Sequence, residues 1–292
     1  MPRQTLEVEN ETAPVTVADT TSGELSPVAL DENPAPAARY ELLQTIGKGA
    51  MGEVLVAREG ALSRKVAFKR MAANVAKNAG LTARFLREMQ VTAQLDHPNV
   101  VPVYAHEPAP DGTPGYAMKL VRGRTLTVLI EEAARGARKR SEQRESLALA
   151  DRLEVFLRVC DAIAYAHAKG VLHRDLKPDN VMIGPYNEVY VMDWGICRVQ
   201  GVADGGAEAV EVGGDSASRT RVGTAIGTPA YMSPEQAMGK NAELDGRSDQ
   251  FALGLILFEL VALKRARPPG GMRDTMASAV SGAKLPLLHV HS

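Results

Sequence analysis

The sequence predicts an α+β fold with two lobes: a small antiparallel β lobe that carries one helix, and a larger, mainly helical lobe. Strand-like runs are concentrated between Tyr40 and Leu120, and helical periodicity dominates after that point. Of the 292 residues, 45% are hydrophobic, which is enough for a large core. We expect the small lobe to comprise residues 39–121 and the large lobe residues 122–292.

Residues 1–38, which precede the small lobe, have a different composition. They are rich in Pro, Thr, Ala and Glu, and Arg3 is the only basic residue among several acidic ones. A segment of this kind cannot bury enough apolar surface to offset the entropy lost on ordering. We therefore expect a disordered acidic tail.

The small lobe is predicted from short strand-like runs that are separated by Gly-rich or Ser/Gly turns, as in an antiparallel meander. One stretch with apolar residues at helical spacing, 81–95, predicts the helix of this lobe, and Asp96-His97-Pro98-Asn99 ends it. The predicted strands are 40–46, 53–58, 65–71, 100–105 and 115–120.

The large lobe is predicted from longer helical stretches. The stretch 249–263 is apolar on nearly every face, which places it inside this lobe. The remaining predictions are helices at 125–139 and 147–169, a loop at 170–185, a strand pair near Val181 and Val189, and a Gly-rich loop at 201–214.

Composition excludes several classes of protein. The formal charge of -1 provides no overall basic field, so nucleic acid is not the expected partner. Cys160 and Cys197 lack the paired spacing of a disulfide or zinc site, which fits a reducing cytoplasm. The longest apolar stretch, 251–263, is too short to cross a bilayer and contains Glu259, so we expect no membrane segment and a cytoplasmic location.

The segment Gly47-Lys48-Gly49-Ala50-Met51-Gly52 contains a G-x-G-x-x-G pattern, which is too common to identify a function alone. A dinucleotide-binding fold needs a helix at the glycines, but a strand follows here. A Walker A loop needs Lys and Ser/Thr after the last glycine, where this chain has Glu53 and Val54. A glycine hairpin without a ligand and a phosphate-covering loop both remain open.

Three further motifs follow the glycine loop in a fixed order. They are His173-Arg174-Asp175-Leu176-Lys177-Pro178-Asp179-Asn180, Asp193-Trp194-Gly195, and Gly227-Thr228-Pro229 leading to Ser233-Pro234-Glu235. Lys69 on a predicted strand and Glu88 on the next helix would be ordinary surface charges if each stood alone. Together with the motifs, they resemble the signature of eukaryotic-type protein kinases from Tyr40 to roughly residue 285.

Details of the motifs narrow this resemblance. Lys177 together with Thr228 resembles the serine/threonine branch of the family. The run 118–123, and Trp194 where Phe is usual, resemble bacterial Hanks-type kinases. The resemblance implies a two-lobed protein kinase domain over residues 39–292 that transfers the γ-phosphoryl group of ATP to Ser or Thr hydroxyls of protein substrates.

The resemblance also implies roles for the polar residues. Asp175 would accept the proton of the substrate hydroxyl, and Lys177 would contact the γ-phosphate. Lys69 would hold the α- and β-phosphates and would itself be oriented by Glu88. The metal ligands would be Asn180 and Asp193, with Mg²⁺ as the ion and Mn²⁺ as an alternative.

The nucleotide pocket follows from the same resemblance. Val54, Ala67 and Met182 would enclose the adenine, and Met118 would close the back of its pocket. The backbone of Lys119 and Val121 would bond the purine edge. Plain core packing is an equally valid interpretation of these side chains, and both can hold. The expected ATP-binding residues are Ile46, Gly47, Lys48, Gly49, Ala50, Met51, Gly52, Val54, Ala67, Lys69, Met118, Lys119, Val121 and Met182.

Other motif residues are expected to be structural. Asp249 either caps the start of its helix or, by the resemblance, braces the backbone of the catalytic loop, which is the segment 173–180 that carries Asp175. His173 and Trp194 are expected to pack rather than react. The full structural set is His173, Arg174, Trp194, Gly195, Thr228, Glu235 and Asp249.

Control is expected through the segment before Gly227. Thr220 and Thr224 lie at spacings that related kinases use for autophosphorylation, and a phosphate there could pair with Arg174. A homodimer would allow one copy to phosphorylate the other.

The end of the chain departs from the family pattern. A kinase domain normally adds several helices after the apolar helix that ends near Leu263, so the late helices of the large lobe are expected to be missing. Glu235, which such a helix holds through an arginine, finds no arginine after Arg273. The alternative function is therefore a weak or inactive kinase-like scaffold or fragment. A small-molecule kinase on the same fold is disfavoured, because the 227–235 segment forms a surface that docks a peptide in the family.

Overall fold

The structure is a computed structural model that describes residues 39–138, 148–194, 198–199, 227–267 and 271–281. The small lobe is built on a five-stranded antiparallel sheet with strand order β1-β2-β3-β5-β4. Its elements are β1 (Tyr40–Gly49), β2 (Gly52–Glu59), β3 (Arg64–Met71), helix α1 (Ala79–Gln94), β4 (Val103–His106) and β5 (Gly115–Met118).

Local sequence explains the turn between β1 and β2 and the start of α1. Gly52 adopts φ 157°, and a Cβ atom at this position would lie 2.0 Å from the backbone oxygen of Arg70 on the paired strand. Only glycine therefore fits without displacing β3. The N-cap of α1 is Asn78, whose side chain accepts a hydrogen bond from the backbone N–H of Leu81 at 3.0 Å.

The large lobe is mainly helical and carries two small sheets, β6-β8-β9 and β10-β7. In chain order its elements are β6 (Arg124–Thr125), α2 (Leu126–Arg138), α3 (Leu149–Ala168), β7 (Val171–Leu172), β8 (Val181–Ile183), β9 (Val189–Val191), β10 (Arg198–Val199), α4 (Pro234–Ala237), α5 (Gly246–Ala262) and α6 (Met272–Ser281). The strand pair predicted near Val181 and Val189 is confirmed by β8 and β9, which pair antiparallel. The segment predicted as a loop, 170–185, also contains the short strand β7.

The core of the large lobe surrounds α5, as the apolar sequence of that helix predicts. Leu255, Ile256 and Leu260 on α5 are buried and pack with side chains of α2, α3 and the short strands. A second cluster joins the lobes, because Ala67 and Met118 of the sheet pack with Met182 of β8. This shared packing fixes the walls of the cleft between the lobes.

Helices α5 and α6 differ from the sequence predictions. Helix α5 begins at Gly246, three residues earlier than predicted, because Asp245 is the N-cap and its side chain accepts from the N–H of Arg247 at 2.9 Å. Helix α6 is not predicted by the sequence patterns. It packs on α4 through Met276 and Ala279, which contact Met232 and Ala237.

In the part of the chain that the structure describes, no helix combines the length and the apolar character that crossing a bilayer requires.

Candidate active site

A cavity of about 660 Å³ lies between the lobes, under the β1–β2 hairpin. Its lining includes every residue that the sequence analysis assigned to ATP binding, from Ile46 to Met182. It also includes Glu88, Asp175, Lys177, Asn180 and Asp193. The fold therefore brings together residues that are up to 147 positions apart in the chain, as the interval from Ile46 to Asp193 shows.

The inner wall of the cavity is apolar and is formed by the sheet and β8. Met118 is buried and pairs with Ala67 across β3 and β5, and Met182 is buried on the opposite side. The backbone N–H of Lys119 donates to the carbonyl of Pro102 at 3.0 Å, so this donor is already used within the protein. The Lys119 ammonium lies 4.8 Å from the centre of the Tyr190 ring, which holds the side chain in a fixed direction.

Lys69 of β3 and Glu88 of α1 form an ion pair at the inner end of the cavity. The Lys69 Nζ atom lies 2.5 Å from Glu88 Oε1 and 3.4 Å from Asp193 Oδ1. Burial disfavours the Lys69 charge, but the Glu88 carboxylate and the other acidic groups nearby raise the Lys69 pKa well above its usual value. The ammonium in turn lowers the pKa of Asp193. The raised pKa favours the charged form of Lys69, which lines the cavity.

Tyr116 is a site residue that sequence reasoning missed. Its hydroxyl donates a hydrogen bond to Glu88 Oε1 at 2.9 Å. Tyr116 lies directly opposite Lys69 in the pairing of β3 with β5. Residues paired in this way share a face of the sheet, so the strand register was the signal that could have found it.

Thr228 and Lys177 hold the Asp175 carboxylate in place. Both the backbone N–H and the hydroxyl of Thr228 lie 2.7 Å from Asp175 Oδ1. The Lys177 Nζ atom lies 3.1 Å from Asp175 Oδ2 and 2.8 Å from the Thr228 hydroxyl. The two carboxylate oxygens are thus oriented separately, and Thr228 links the loop to the segment that follows residue 226.

Asn180 and Asp193 lie at the same end of the cavity. The Asn180 side-chain N–H₂ donates to the backbone carbonyl of Asp175 at 2.9 Å, so the amide oxygen is the end available to a cation. Among the described residues, no group of three or more His, Cys, Asp or Glu side chains could bind a metal by itself. One carboxylate and one amide oxygen suit Mg²⁺, which is usually bound by few protein oxygens together with substrate phosphates and water.

Asp249 braces the backbone of the catalytic loop. Its carboxylate accepts from the N–H groups of His173 and Arg174, both at 2.9 Å, and lies 2.7 Å from His167 Nε2. Burial opposes the charge, yet these donors lower the Asp249 pKa. The interpretation of Asp249 as a helix cap is wrong, because Asp245 occupies that position.

The brace holds a strained backbone. Arg174 has φ 68° and Asp193 has φ 58°, in the left-handed region that non-glycine residues rarely adopt. Such conformations persist only where surrounding contacts impose them. The hydrogen bonds of Asp249 supply this constraint at Arg174.

His173 and Trp194 are fully buried, and their ring centres lie 4.6 Å apart. The His173 Nε2 atom lies 3.1 Å from the carbonyl of Met192, and Nδ1 lies 3.3 Å from the backbone N–H of Asp175. A neutral ring that donates from Nε2 and accepts at Nδ1 fits both contacts. The two side chains pack between the catalytic loop and the Asp193 segment.

Glu235, for which the sequence analysis found no arginine after Arg273, has a serine as its hydrogen-bond partner. The side chain is half-buried at the start of α4, and Ser248 donates to its carboxylate at 2.8 Å. Partial burial opposes the charge, but hydrogen bonds from its own backbone, Ser248 and Ser233 lower its pKa. Glu235 is therefore not a fully buried carboxylate without a partner.

Arg267, which the sequence analysis did not single out, holds the segment before α4. Its Nη1 atom lies 3.1, 3.1 and 2.9 Å from the carbonyl oxygens of Pro229, Ala230 and Met232. The guanidinium lies 5.3 Å from the centre of the Phe251 ring. No local pattern points to this role, because the partners precede Arg267 by 35–38 residues.

Gly195, Cys197, Thr220 and Thr224, which were named from the sequence, lie outside the described part of the chain. The predicted acidic tail 1–38 and the predicted Gly-rich loop 201–214 lie outside it as well.

Comparison with known proteins gives concordant matches. A family model described as "Protein kinase domain" matches residues 40–282. The chain is 37% identical over 231 residues to "Serine/threonine-protein kinase PknD" of Protochlamydia amoebophila, covering 77% of this chain and 23% of that protein. Proteins with the same name from Chlamydia muridarum and Chlamydia pneumoniae are 38% and 36% identical, with 77% of this chain and 25% and 24% of theirs covered. This chain thus spans about a quarter of the length of these relatives.

Proposed function

This chain belongs to the protein kinase family, and on that premise we propose that it transfers the γ-phosphoryl group of ATP to Ser or Thr hydroxyls of protein substrates. One observation carries the proposal. The Lys69–Glu88 pair, Asp175 with Lys177, and the two oxygen ligands meet in a single cavity, and Thr228 bonds Asp175 from outside its lining. These are the cation, the base and the metal ligands that the reaction requires.

The cavity suits a nucleotide with phosphates at its polar end. Adenine would lie between the apolar side chains of Val54, Ala67 and Met182, and its edge would contact the backbone at Lys119 and Val121. No heavy atom lies within 4 Å of the position that a Cβ atom of Gly49 would occupy, so the space next to this residue is open. A phosphate could therefore approach the backbone of the hairpin closely. The Lys69 cation would neutralise phosphate charge.

Asn180 and Asp193 would bind a divalent cation, Mg²⁺ or alternatively Mn²⁺. When bound, the ion would supply positive charge that offsets the negative charge of the phosphates. The Lys69 ammonium, which lies 3.4 Å from Asp193, keeps this carboxylate ionised and therefore ready to act as a ligand.

Asp175 would orient the substrate hydroxyl and accept its proton. Thr228 and Lys177 bond its two oxygens and fix the plane of the carboxylate. A base held in this way needs no rearrangement as the hydroxyl attacks. Since Lys69, Asp175 and Asp193 are all present in the cavity, the geometry favours an active kinase over an inactive scaffold.

We propose further that Thr220 or Thr224 is phosphorylated by a second copy of the chain in a transient homodimer. Arg174 is the cation expected to pair with that phosphate. Its side chain is held near the catalytic loop by Asn241, which accepts from Nη2 at 2.9 Å. A cytoplasmic location remains a proposal that rests on the unpaired spacing of Cys160 and Cys197.

The proposal is tested by incubating the purified chain with radiolabelled ATP, Mg²⁺ and a generic protein substrate. Asp175→Asn and Lys69→Met should each reduce transfer by about 10²- to 10³-fold, because each removes a preorganised polar group. Matched controls are Asp96→Asn and Lys65→Met, which change exposed residues outside the cavity. Transfer at the wild-type rate by either cavity variant would show that the assigned roles are wrong.

A further inference from the structure

Tyr116 lies in the cavity wall and contacts Glu88 directly. It lies on β5, inside the five-stranded sheet, and its side chain is buried. Its hydroxyl donates at 2.9 Å to Glu88 Oε1, the same oxygen that lies 2.5 Å from Lys69 Nζ. One carboxylate oxygen therefore joins the helix, the lysine and the sheet.

A second contact ties the same tyrosine to α1. The Tyr116 ring packs against Phe85 with centres 5.4 Å apart and planes inclined by 49°. Phe85 precedes Glu88 by three residues and lies on the same face of the helix. Tyr116 thus holds α1 at two adjacent positions, one apolar and one polar.

The sheet gives Tyr116 a rigid base. It is paired with Lys69 of β3 on one side and with His106 of β4 on the other. A side chain anchored in this way has little freedom to follow a movement of α1. Displacement of the helix would break the hydrogen bond to Glu88 and open the Phe85 contact together.

The phenol group is suited to hold a carboxylate that must also pair with a cation. Burial raises the Tyr116 pKa well above its usual value, so the hydroxyl stays protonated and remains a donor. A neutral donor can hold the Glu88 carboxylate in place while the carboxylate keeps Lys69 as its cationic partner. A buried tyrosine that only needed a partner could use any acceptor, whereas this one uses the carboxylate that orients Lys69.

We propose that Tyr116 is a positioning residue for phosphoryl transfer, holding Glu88 and α1 where the carboxylate orients Lys69. The inference rests on the proposed kinase function for its effect on rate. The coupling of Tyr116 to Lys69 through Glu88 is a property of the chain itself and can be measured without ATP.

The first experiment compares Tyr116→Phe with Tyr40→Phe in the purified full chain. Tyr40 is a close match, because it is buried in the same sheet, its ring lies 5.6 Å from Phe68, and its hydroxyl lies 3.4 Å from Glu59. Tyr116→Phe should lower kcat/KM for ATP by about 10-fold, since a displaced catalytic group reduces rate strongly. Tyr40→Phe should remain within about 2-fold of wild type, as expected for a change outside the site.

The second experiment asks whether the effect passes through Glu88. In a Glu88→Ala background the acceptor is absent, so adding Tyr116→Phe should change kcat/KM by less than about 2-fold. A general structural role would lower kcat/KM by the same factor in both backgrounds. If Glu88→Ala does not fold, the comparison with Tyr40→Phe still decides.

The third experiment uses no nucleotide. The rate at which a water-soluble acylating reagent modifies Lys69 is followed by mass spectrometry, with Lys65 as the exposed internal reference. Tyr116→Phe should raise the Lys69 rate several-fold, because a less firmly held Glu88 protects the amine less, and Tyr40→Phe should not. An unchanged Lys69 rate in Tyr116→Phe overturns the inference. Faster acylation together with no phosphoryl transfer by wild type overturns the proposed function and leaves the coupling standing.

Discussion

Arg267→Met tests whether a single buried cation holds the segment between Thr228 and α4. Arg267 as a whole residue is 6% exposed. The substitution keeps much of the side-chain volume and removes the guanidinium, whose Nη1 atom lies within 3.1 Å of three backbone carbonyl oxygens. The guanidinium also lies over the ring of Phe251, which is partly buried and packs against the large-lobe core. We expect the variant to fold, with a lower free energy of unfolding.

The magnitude follows from two opposing effects. One Nη1 atom carries two hydrogens, so at most about two of the three contacts are strong, and hydrogen bonds to a charged donor contribute about 1.5 to 3 kcal/mol each. Burial disfavours the cation and lowers the Arg267 pKa, and methionine avoids this cost. We expect a net loss of about 2 to 4 kcal/mol, against a typical domain stability of about 5 to 15 kcal/mol.

The assay is denaturant unfolding followed by circular dichroism, with Arg273→Met as the control because Arg273 is exposed on α6. Arg267→Lys, which keeps the charge but loses the planar fork, should fall between wild type and Arg267→Met. Phosphoryl transfer should fall as well, since Thr228 precedes the held segment and bonds Asp175. Unfolding of Arg267→Met at the wild-type midpoint would refute the reasoning.

Three further predictions concern the small lobe. Gly52→Ala should lower the free energy of unfolding by about 1 to 3 kcal/mol, because its methyl group would collide with β3. Gly49→Ala should leave the unfolding midpoint unchanged, because its methyl group meets no other atom, and should weaken ATP binding measured by calorimetry. Equal destabilisation by Gly52→Ala and Gly49→Ala would contradict this difference between the two glycines. The buried Glu59 carboxylate loses water contact, but bonds from Arg64 and Arg39 hold its pKa below the ordinary 4.5. The stabilisation that the Glu59 carboxylate gives to the fold is therefore complete above about pH 4.5 and is lost as pH falls through its folded-state pKa. In denaturant unfolding, the difference in free energy of unfolding between wild type and Glu59→Gln should therefore shrink at acid pH. A difference that does not change with pH would contradict the assignment.

Much of the element order could be predicted from the sequence, because strands, helices and turns respond to short-range patterns. The apolar periodicity of 81–95 predicts α1, although the helix begins two residues earlier, at Ala79, after the cap at Asn78. The buried character of α5 follows from its apolar composition. Boundaries were less accurate. The start of α5 was displaced by three residues because Asp245 and Asp249 are both plausible caps, and the choice depends on what each carboxylate contacts.

The chemical candidates were also accessible from the sequence, since reactive residue types occur there in a fixed order with fixed spacing. Their mutual geometry was not. Thr228 bonds Asp175 across 53 positions, and Asp249 bonds His173 across 76. Helix α6 was missed because its stability comes from packing Met276 and Ala279 on α4 rather than from a strong local pattern.

The sequence by itself determined which residue types enter the cavity and in what order, because composition, caps, turns and motif spacing act over a few residues. Only the tertiary structure decided that Tyr116 contacts Glu88 and that Arg267 holds the carbonyls of the segment before α4. Tyrosine on a strand and arginine after a helix are ordinary residues at those positions. Their roles arise from strand register and from the packing of distant segments, and both depend on burial in three dimensions rather than on neighbours along the chain.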